Sequence, residues 1–510
     1  MLGNNKLIAK NTVFLYFRML LVLAVSLYTS RVTLEILGVD DLGIYETVGG
    51  AVTFLAFLSN ALGTGTSRFI TFEMGKPQPR LKEMFATVRV AHIVLGLFIV
   101  IAGEAFGLWF VYNKLVIPPD RLNAAVFAFH MSMAATFFQI TQVPYNSSIV
   151  AHERMNVYAY ISILEVFLKL AIVFSLKIFS HDKLEIYAVL MCIVTILILL
   201  VYRIYCRRTF EETRTGLLFN RNIFREVAAF STWNLLSSSA ASLADQGVTV
   251  VTGMFFLPGV AGIRSLALKV SRMLNQFVGN FRTAVNPQIV KKYAAGDLDG
   301  SKKLSLDSTL LTYFLMLFLV VPLFLLTDPV LVIWLGEVPE GLNAFVQLAL
   351  IQGMFQAIDL SLYAPIYAKG RIKENAIISP LFDFIQLPVV FVLFTLGYPP
   401  IVLAIVAAVS YAILAVVIKP IIVHKIAGYS YKEIMLIILR CMLITILSSV
   451  LPATVAFFID VNTIVGFIAV LIVSLISVSA AVWFVGIDKQ MKNMLLGWIR
   501  LRRNGNKETE

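Results

Sequence analysis

Apolar residues dominate this chain in long stretches, broken by short polar or basic intervals, from Asn11 to Gly486. A helix needs roughly 20 apolar residues to cross the hydrocarbon of a bilayer. Fourteen stretches meet that length: residues 11–34, 43–65, 86–111, 122–144, 156–178, 184–205, 227–250, 258–281, 306–327, 342–366, 375–397, 400–422, 434–458 and 463–485. Helices are the expected form, because lipid offers no partner to an open backbone N–H or C=O. A membrane β-barrel would instead alternate apolar and polar residues over segments of about ten. Ile464–Val473 contains no polar side chain and Leu190–Leu200 only one, so that form is excluded. The pattern predicts an all-α polytopic membrane protein with fourteen transmembrane helices. The first stretch is expected to be a retained span, since it lacks a small-residue cleavage motif and Arg18 interrupts it.

Charge gives the chain an orientation. Lys and Arg number 42 and Asp and Glu 30, a formal net charge of +12. The basic residues cluster in every second loop and at both ends, for example Arg68, Arg80 and Arg89, then Arg203, Arg207 and Arg208, then Lys489 and Arg500. The alternate loops hold only Arg31, Lys114, Arg121, Lys177 and Lys183. The positive-inside rule puts both termini in the cytoplasm and agrees with an even number of spans. Anionic headgroups account for the basic balance, so no nucleic-acid partner is expected.

Charged residues are 14% of the chain and hydrophobic residues 59%. Soluble domains carry about 25% charged residues, so an ordinary soluble enzyme is excluded. There is no Walker A loop, HExxH or nucleophile elbow. The three cysteines and five histidines are dispersed, and no catalytic residue or metal set is expected.

The chain repeats itself. Gly43-Ile44 and Gly262-Ile263 are 219 residues apart, as are Asn156 and Asn375, while Pro144 and Pro365 are 221 apart. Six spans fill one repeat, and an even number means that both repeats enter from the same side, a parallel arrangement that transport folds use. The expected organisation is an N-terminal six-helix lobe (1–205), a basic cytoplasmic linker (206–226), a C-terminal six-helix lobe (227–424), and two appended helices with a basic tail (425–510). No loop is long enough to hold a soluble domain, so function must reside in the bundle.

Ionisable residues inside spans carry the chemical signal, because a charge at mid-bilayer costs about 2.5–3.5 kcal/mol on insertion scales. Span eight holds Arg264, Lys269 and Arg272. At about 100° per residue they fall within an arc of about 140°, one basic helix face suited to an anion's path. Snorkelling to the headgroups is the alternative, most available to Arg264 near the span's end. Arg18, about two turns inside span one, is a further cavity cation. Glu165 and Lys169, four apart on span five, form either a structural ion pair or a cavity pair. Asp245, Asp359, Asp383 and Gln386 are candidates for a coupling sodium ion or proton, and the acids are equally placed to neutralise the span-eight cations. Pro144 and Pro365, recurring in both halves, are hinge candidates.

Three motifs make the chain resemble a known family. They are Lys10-Asn11-Thr12 opening span one, Leu37-Gly38-Val39-Asp40-Asp41-Leu42-Gly43-Ile44-Tyr45 around the first outer turn, and Ala151-His152-Glu153-Arg154-Met155-Asn156 in an inner loop. With the span pattern they resemble the multidrug/oligosaccharidyl-lipid/polysaccharide (MOP) exporter superfamily, and within it the polysaccharide or O-antigen (Wzx-type) flippases. The likeness covers nearly the whole chain. It implies a MATE-like, V-shaped pair of six-helix bundles around a cavity lined by spans one, two, seven and eight. It implies a substrate, undecaprenyl-diphosphate-linked oligosaccharide, moved from the cytoplasmic to the outer leaflet of the bacterial inner membrane by alternating access. Arg18, Arg264, Lys269 and Arg272 would then bind the diphosphate. The expected partners are that lipid-linked oligosaccharide, membrane lipids, and a polysaccharide polymerase with other biosynthesis proteins. The protein itself is expected to be a monomer without a resident cofactor.

Two further readings belong to the same superfamily. One is a cation-coupled multidrug exporter, weakened because span one carries Arg18 where drug exporters often have a carboxylate. The other is a flippase for lipid II, the peptidoglycan precursor. An integral-membrane glycosyltransferase or polymerase is disfavoured by the short outer loops.

Overall fold

The computed structural model describes residues 2–74, 79–152, 154–369, 371, 373–487 and 492. Within these, the side chains of 2–19, 50–62 and 229–245, with scattered neighbours, lie outside the described set. Arg18 and Asp245 fall there, as does Lys10-Asn11-Thr12.

The described chain is helical throughout. The first half comprises α1 (Leu2–Met74), α2 (Leu81–Ala102), α3 (Leu108–Asn113), α4 (Leu122–Ala151), α5 (Met155–Ser175), α6 (Lys183–Thr209), α7 (Arg221–Phe255) and α8 (Pro258–Ala294). The second half comprises α9 (Leu298–Leu325), α10 (Thr327–Leu335), α11 (Leu342–Ser361), α12 (Ala364–Ala368), α13 (Lys373–Thr395), α14 (Val402–Ile413), α15 (Lys419–Ala427), α16 (Tyr431–Phe458) and α17 (Ile464–Ala481). Among the described residues, eleven helical segments are long and apolar enough to cross a membrane. This is a multi-pass membrane protein.

The expected spans three to six and nine to fourteen each coincide with one of those eleven segments. The remaining segment, Leu20–Gly49, runs from expected span one into span two through the turn at Gly38. Gly38 has φ 75° and ψ 173°, so two helices meet there at a kink that a residue with a Cβ would resist. Expected spans seven and eight lie in α7 and α8, which are not among the eleven. The polarity of α8 has a simple source: Arg264, Lys269, Arg272, Asn275 and Gln276 interrupt its apolar residues.

By compactness the chain divides into two units. The first holds residues 1–266, 334–339 and 380–403, and the second holds 267–333, 340–379 and 404–510. In the first unit α1 packs most extensively on α7 and α4, and α4 on α6. Its core includes Phe85, Tyr145, Ile149, Tyr202 and Phe210, with a second cluster around Ile44, Val48, Phe129 and Ile140. In the second unit α9 packs on α11, α16 and α17. Tyr313 on α9 meets Thr445 on α16 with their hydroxyls 2.8 Å apart, and the Ser477 hydroxyl donates to the Ser448 carbonyl at 2.8 Å. The first contact ties α16 to α9, and the second ties α17 to α16. Leu439, Leu443, Ile446, Val450 and Leu451 of α16 stay exposed, as a lipid-facing surface would.

The repeat positions meet in space. A Cβ at Gly43 would strike the Pro258 carbonyl, and a Cβ at Gly262 would strike the Val39 carbonyl. Pro258 lies 219 residues beyond Val39, as Gly262 does beyond Gly43. The two contacts are therefore reciprocal, the signature of a local two-fold relation. Gly259, also 219 beyond Asp40, packs on Asp40 itself, as a position on the axis would.

The five cations in the sparsely basic loops are each engaged. Arg121 pairs with Asp41 at 2.6 Å and also with Asp182. Lys177 pairs with Glu35 at 3.3 Å. Lys183 donates to the carbonyls of Leu176 and Phe179, Lys114 lies over the Trp109 ring, and Arg31 also has a partner.

Candidate functional site

The basic face of α8 begins with Arg264, which is buried and donates from Nη1 to the Thr249 hydroxyl on α7. Lys269 is half-buried and Arg272 exposed. All three engage further partners in the protein. The unit boundary falls within this helix, so Arg264 belongs to the first unit and the other two to the second. One continuous helix therefore presents three cations over little more than two turns, and burial falls from the first to the last.

The second unit contains a buried ionic cluster. The Lys419 ammonium at the start of α15 lies 2.9 Å from Asp359 Oδ1 on α11, with side-chain exposures of 2% and 8%. It donates to Asn375 Oδ1 at 2.5 Å and to the Ser379 hydroxyl at 3.2 Å, both on α13. The contact with Asp359 is one of charge, out of line for a hydrogen bond. Arg282 on α8 stands over the Tyr363 ring in the same unit, 6.0 Å from its centroid. A buried charge survives in apolar surroundings only when paired and hydrogen-bonded, and Lys419 meets both conditions. Lys419 is the lone charged residue of stretch 400–422, and that isolation was the signal available in the sequence. The sequence pointed to span-eight cations as the partners of such acids; for Asp359 the partner is Lys419.

Asp383 and Gln386 are half-buried on α13 in the first unit, and Asp383 has a partner there or beyond. Glu165 and Lys169 pair on α5 at 2.6 Å, each more than a third exposed. Pro144 is buried inside the unbroken helix α4, where its carbonyl accepts the Ser148 hydroxyl at 3.1 Å. Pro365 lies in the short helix α12, just after the break that ends α11 at Ser361.

Two further ionic contacts brace the first unit. Glu104 sits in a single π turn, Gly103–Gly107, and its carboxylate meets His130 at 2.9 Å. Arg121 clasps three connections by holding Asp41 and Asp182 together, and Asp182 also caps the N-terminus of α6. The hydrogen bond to Asp182 leads the effects that raise the Arg121 guanidinium above its ordinary value. Burial pushes the Asp182 carboxyl up, but the Arg121 hydrogen bond and charge and the cap N–H groups overcome it, leaving the carboxyl below the ordinary carboxylate value.

The fold is shared with solved structures of membrane transporters, among them ones described as members of the MOP superfamily. The lipid II flippase MurJ, in an inward closed conformation, superposes with a TM-score of 0.71 at 12% identity, covering 93% of this chain and 98% of that one. An inward-facing multidrug resistance MATE family transporter gives a TM-score of 0.65 at 14% identity, covering 80% of this chain and 96% of its own. A MOP-superfamily transporter from Pyrococcus furiosus, noted for the reverse polarity of its binding pocket, gives 0.56 at 15% identity over 82% of this chain and 96% of its own. No protein-family model and no curated protein matches the sequence.

Proposed function

We propose that this protein is a flippase for a polyprenyl-diphosphate-linked oligosaccharide, moving it from the cytoplasmic to the outer leaflet of a bacterial inner membrane. Undecaprenyl diphosphate carrying a surface polysaccharide or O-antigen repeat unit is the substrate that best fits the sequence resemblance. The observation that carries the reading is the basic face Arg264–Lys269–Arg272 on α8, within a fold shared with a lipid II flippase. A diphosphate crossing an apolar barrier needs fixed cations along its path. Lobes 1–205 and 227–424 would alternate in access while the polyprenyl tail stays in lipid.

Three observations favour a lipid-linked substrate over a drug. The MATE transporter covers 80% of this chain and the lipid II flippase 93%, so the latter matches a larger share of it. The α16–α17 pair presents an exposed apolar face suited to a lipid tail. Asp359 is also a poor site for a coupling sodium ion, because the Lys419 ammonium already occupies the oxygens of Asp359, Asn375 and Ser379. Any coupling ion would then use Asp383 with Gln386, or Asp245.

Arg272→Glu reverses one charge of the basic face at an exposed position. Cells carrying it are expected to lose surface glycan and retain lipid-linked glycan on the cytoplasmic leaflet, with the protein still in the membrane. Normal surface glycan would remove Arg272 from the path. Drug sensitivity with intact glycan in a deletion strain would favour the exporter reading.

A further inference from the structure

The first unit holds a cavity of about 440 Å³, lined by Arg89, Arg203 and Arg207 together with Phe137, Phe138, Leu199 and the turn Thr215–Leu217. It lies between α2, α4 and α6, at the strongly basic end of those helices, and shares none of the residues of the α8 face or the Lys419 cluster. Segment 206–226, expected as a plain linker, closes one side of it. Arg89 Nη2 donates to the carbonyls of Thr215 at 3.2 Å and Gly216 at 2.7 Å, which fastens the segment over the opening. The segment is held further by Asn220, which donates to Glu83 at 2.6 Å, and by His152, stacked on Phe210 and 2.7 Å from Glu212.

The charge in this cavity is one-signed. No carboxylate lines it. Among the described residues none of its three arginines has a carboxylate partner, and the nearby acids are engaged elsewhere, Glu211 with Lys82 and Glu212 with His152. Arg89 is buried, with its Nε atom unpaired, while Arg203 and Arg207 are exposed at the mouth. Guanidinium groups converging without acids are suited to a phosphate, which their planar donors can grip in pairs. The opposite wall is apolar. Beside it Leu217, Leu218 and Phe219 are 67%, 56% and 53% exposed, a run that water would disfavour and a bilayer interface would not.

The geometry points to a binding site for a phosphate group, supplied by an anionic lipid whose headgroup sits among Arg89, Arg203 and Arg207 while its tails follow Phe137, Phe138 and Leu199. A lipid held there would bridge α2, α4, α6 and the 206–226 segment. The volume is many times the ~30 Å³ share of one water and accommodates a phosphodiester headgroup.

The test uses the full chain in detergent, incubated with phosphatidylglycerol or phosphatidylcholine and weighed by native mass spectrometry. Wild type is expected to retain phosphatidylglycerol in preference. Arg203→Ala with Arg207→Ala should lower that retention about tenfold or more, the scale set by two cations near an anionic headgroup. Both positions are exposed, so the fold should survive. Leu199→Trp keeps every charge but fills the cavity, and it should also exclude the lipid. A soluble source is distinguished by radiolabelled inorganic phosphate added without lipid: binding that the double arginine variant abolishes assigns the site to free phosphate. Phosphatidylglycerol retention unchanged in the double variant, or unchanged in Leu199→Trp, overturns the proposal.

Discussion

Lys419 offers the sharpest test of how this bundle tolerates charge. Its ammonium is 1% exposed as a residue and lies 2.9 Å from Asp359, with Asn375 and Ser379 completing its shell. Lys419→Met keeps the side-chain volume but strands the Asp359 carboxylate, and it leaves the Asn375 and Ser379 oxygens without their donor. Removing one partner of a buried pair costs about 3–5 kcal/mol, whereas replacing both with neutral groups of similar size is often neutral or stabilising. Asp359→Asn alone should cost a similar amount by stranding the ammonium. The double variant should return to within about 1 kcal/mol of wild type, a coupling of several kcal/mol. Thermal unfolding in detergent, followed by size-exclusion fluorescence, reads this directly. At roughly 2–4 °C per kcal/mol, each single variant should lose about 6–20 °C and the double variant almost none. Additive losses in the double variant, or a Lys419→Met midpoint unchanged from wild type, would refute the pairing.

Arg121→Ala should destabilise the first unit by about 1–3 kcal/mol, since it releases two partly buried carboxylates at once. The folded Asp182 carboxyl titrates below its unfolded value of 3.8, so its contribution is present above that pH and fades as the pH falls through the lower folded value. Wild-type unfolding midpoints should therefore drop more steeply than those of Arg121→Ala below about pH 4. Gly262→Val places a branched side chain against the Val39 carbonyl, and Gly43→Val does the same at Pro258. Each should cost about 1–3 kcal/mol of overpacking, visible as reduced monodisperse yield, while Gly279→Ala, with open space around it, should be silent.

The apolar run length made the membrane class legible, because a bilayer imposes one length on every span. Spans three to six and nine to fourteen could be read from it with ends displaced by at most eight residues. The first outer turn was legible through Gly38, whose non-helical backbone separates two helices there. The pairing of Gly43 with Gly262 was foreshadowed by the repeat offset of 219 residues, while the touching of the repeats at those glycines is a matter of tertiary fold. Span eight was visible as a basic face, while its graded burial from Arg264 to Arg272 depends on tertiary neighbours. Lys419 is not legible as a buried cation from the sequence, because a single lysine near a span end can snorkel and its partners Asn375 and Asp359 lie far away in sequence. Arg121 was legible only as one of five cations in the sparsely basic loops. The reason for it, two aspartates 80 and 61 residues away, is a matter of fold.

The proposed path for a diphosphate-bearing lipid includes Arg272. The most direct measurement reconstitutes the purified chain in vesicles containing a polyprenyl-diphosphate-linked oligosaccharide in both leaflets, then adds a membrane-impermeant glycosidase. Wild-type vesicles should lose nearly all intact glycan, and vesicles that are empty or carry Arg272→Glu should lose only the outer-leaflet fraction. Protection of the inner-leaflet glycan in wild-type vesicles, or full digestion with Arg272→Glu, would contradict the account.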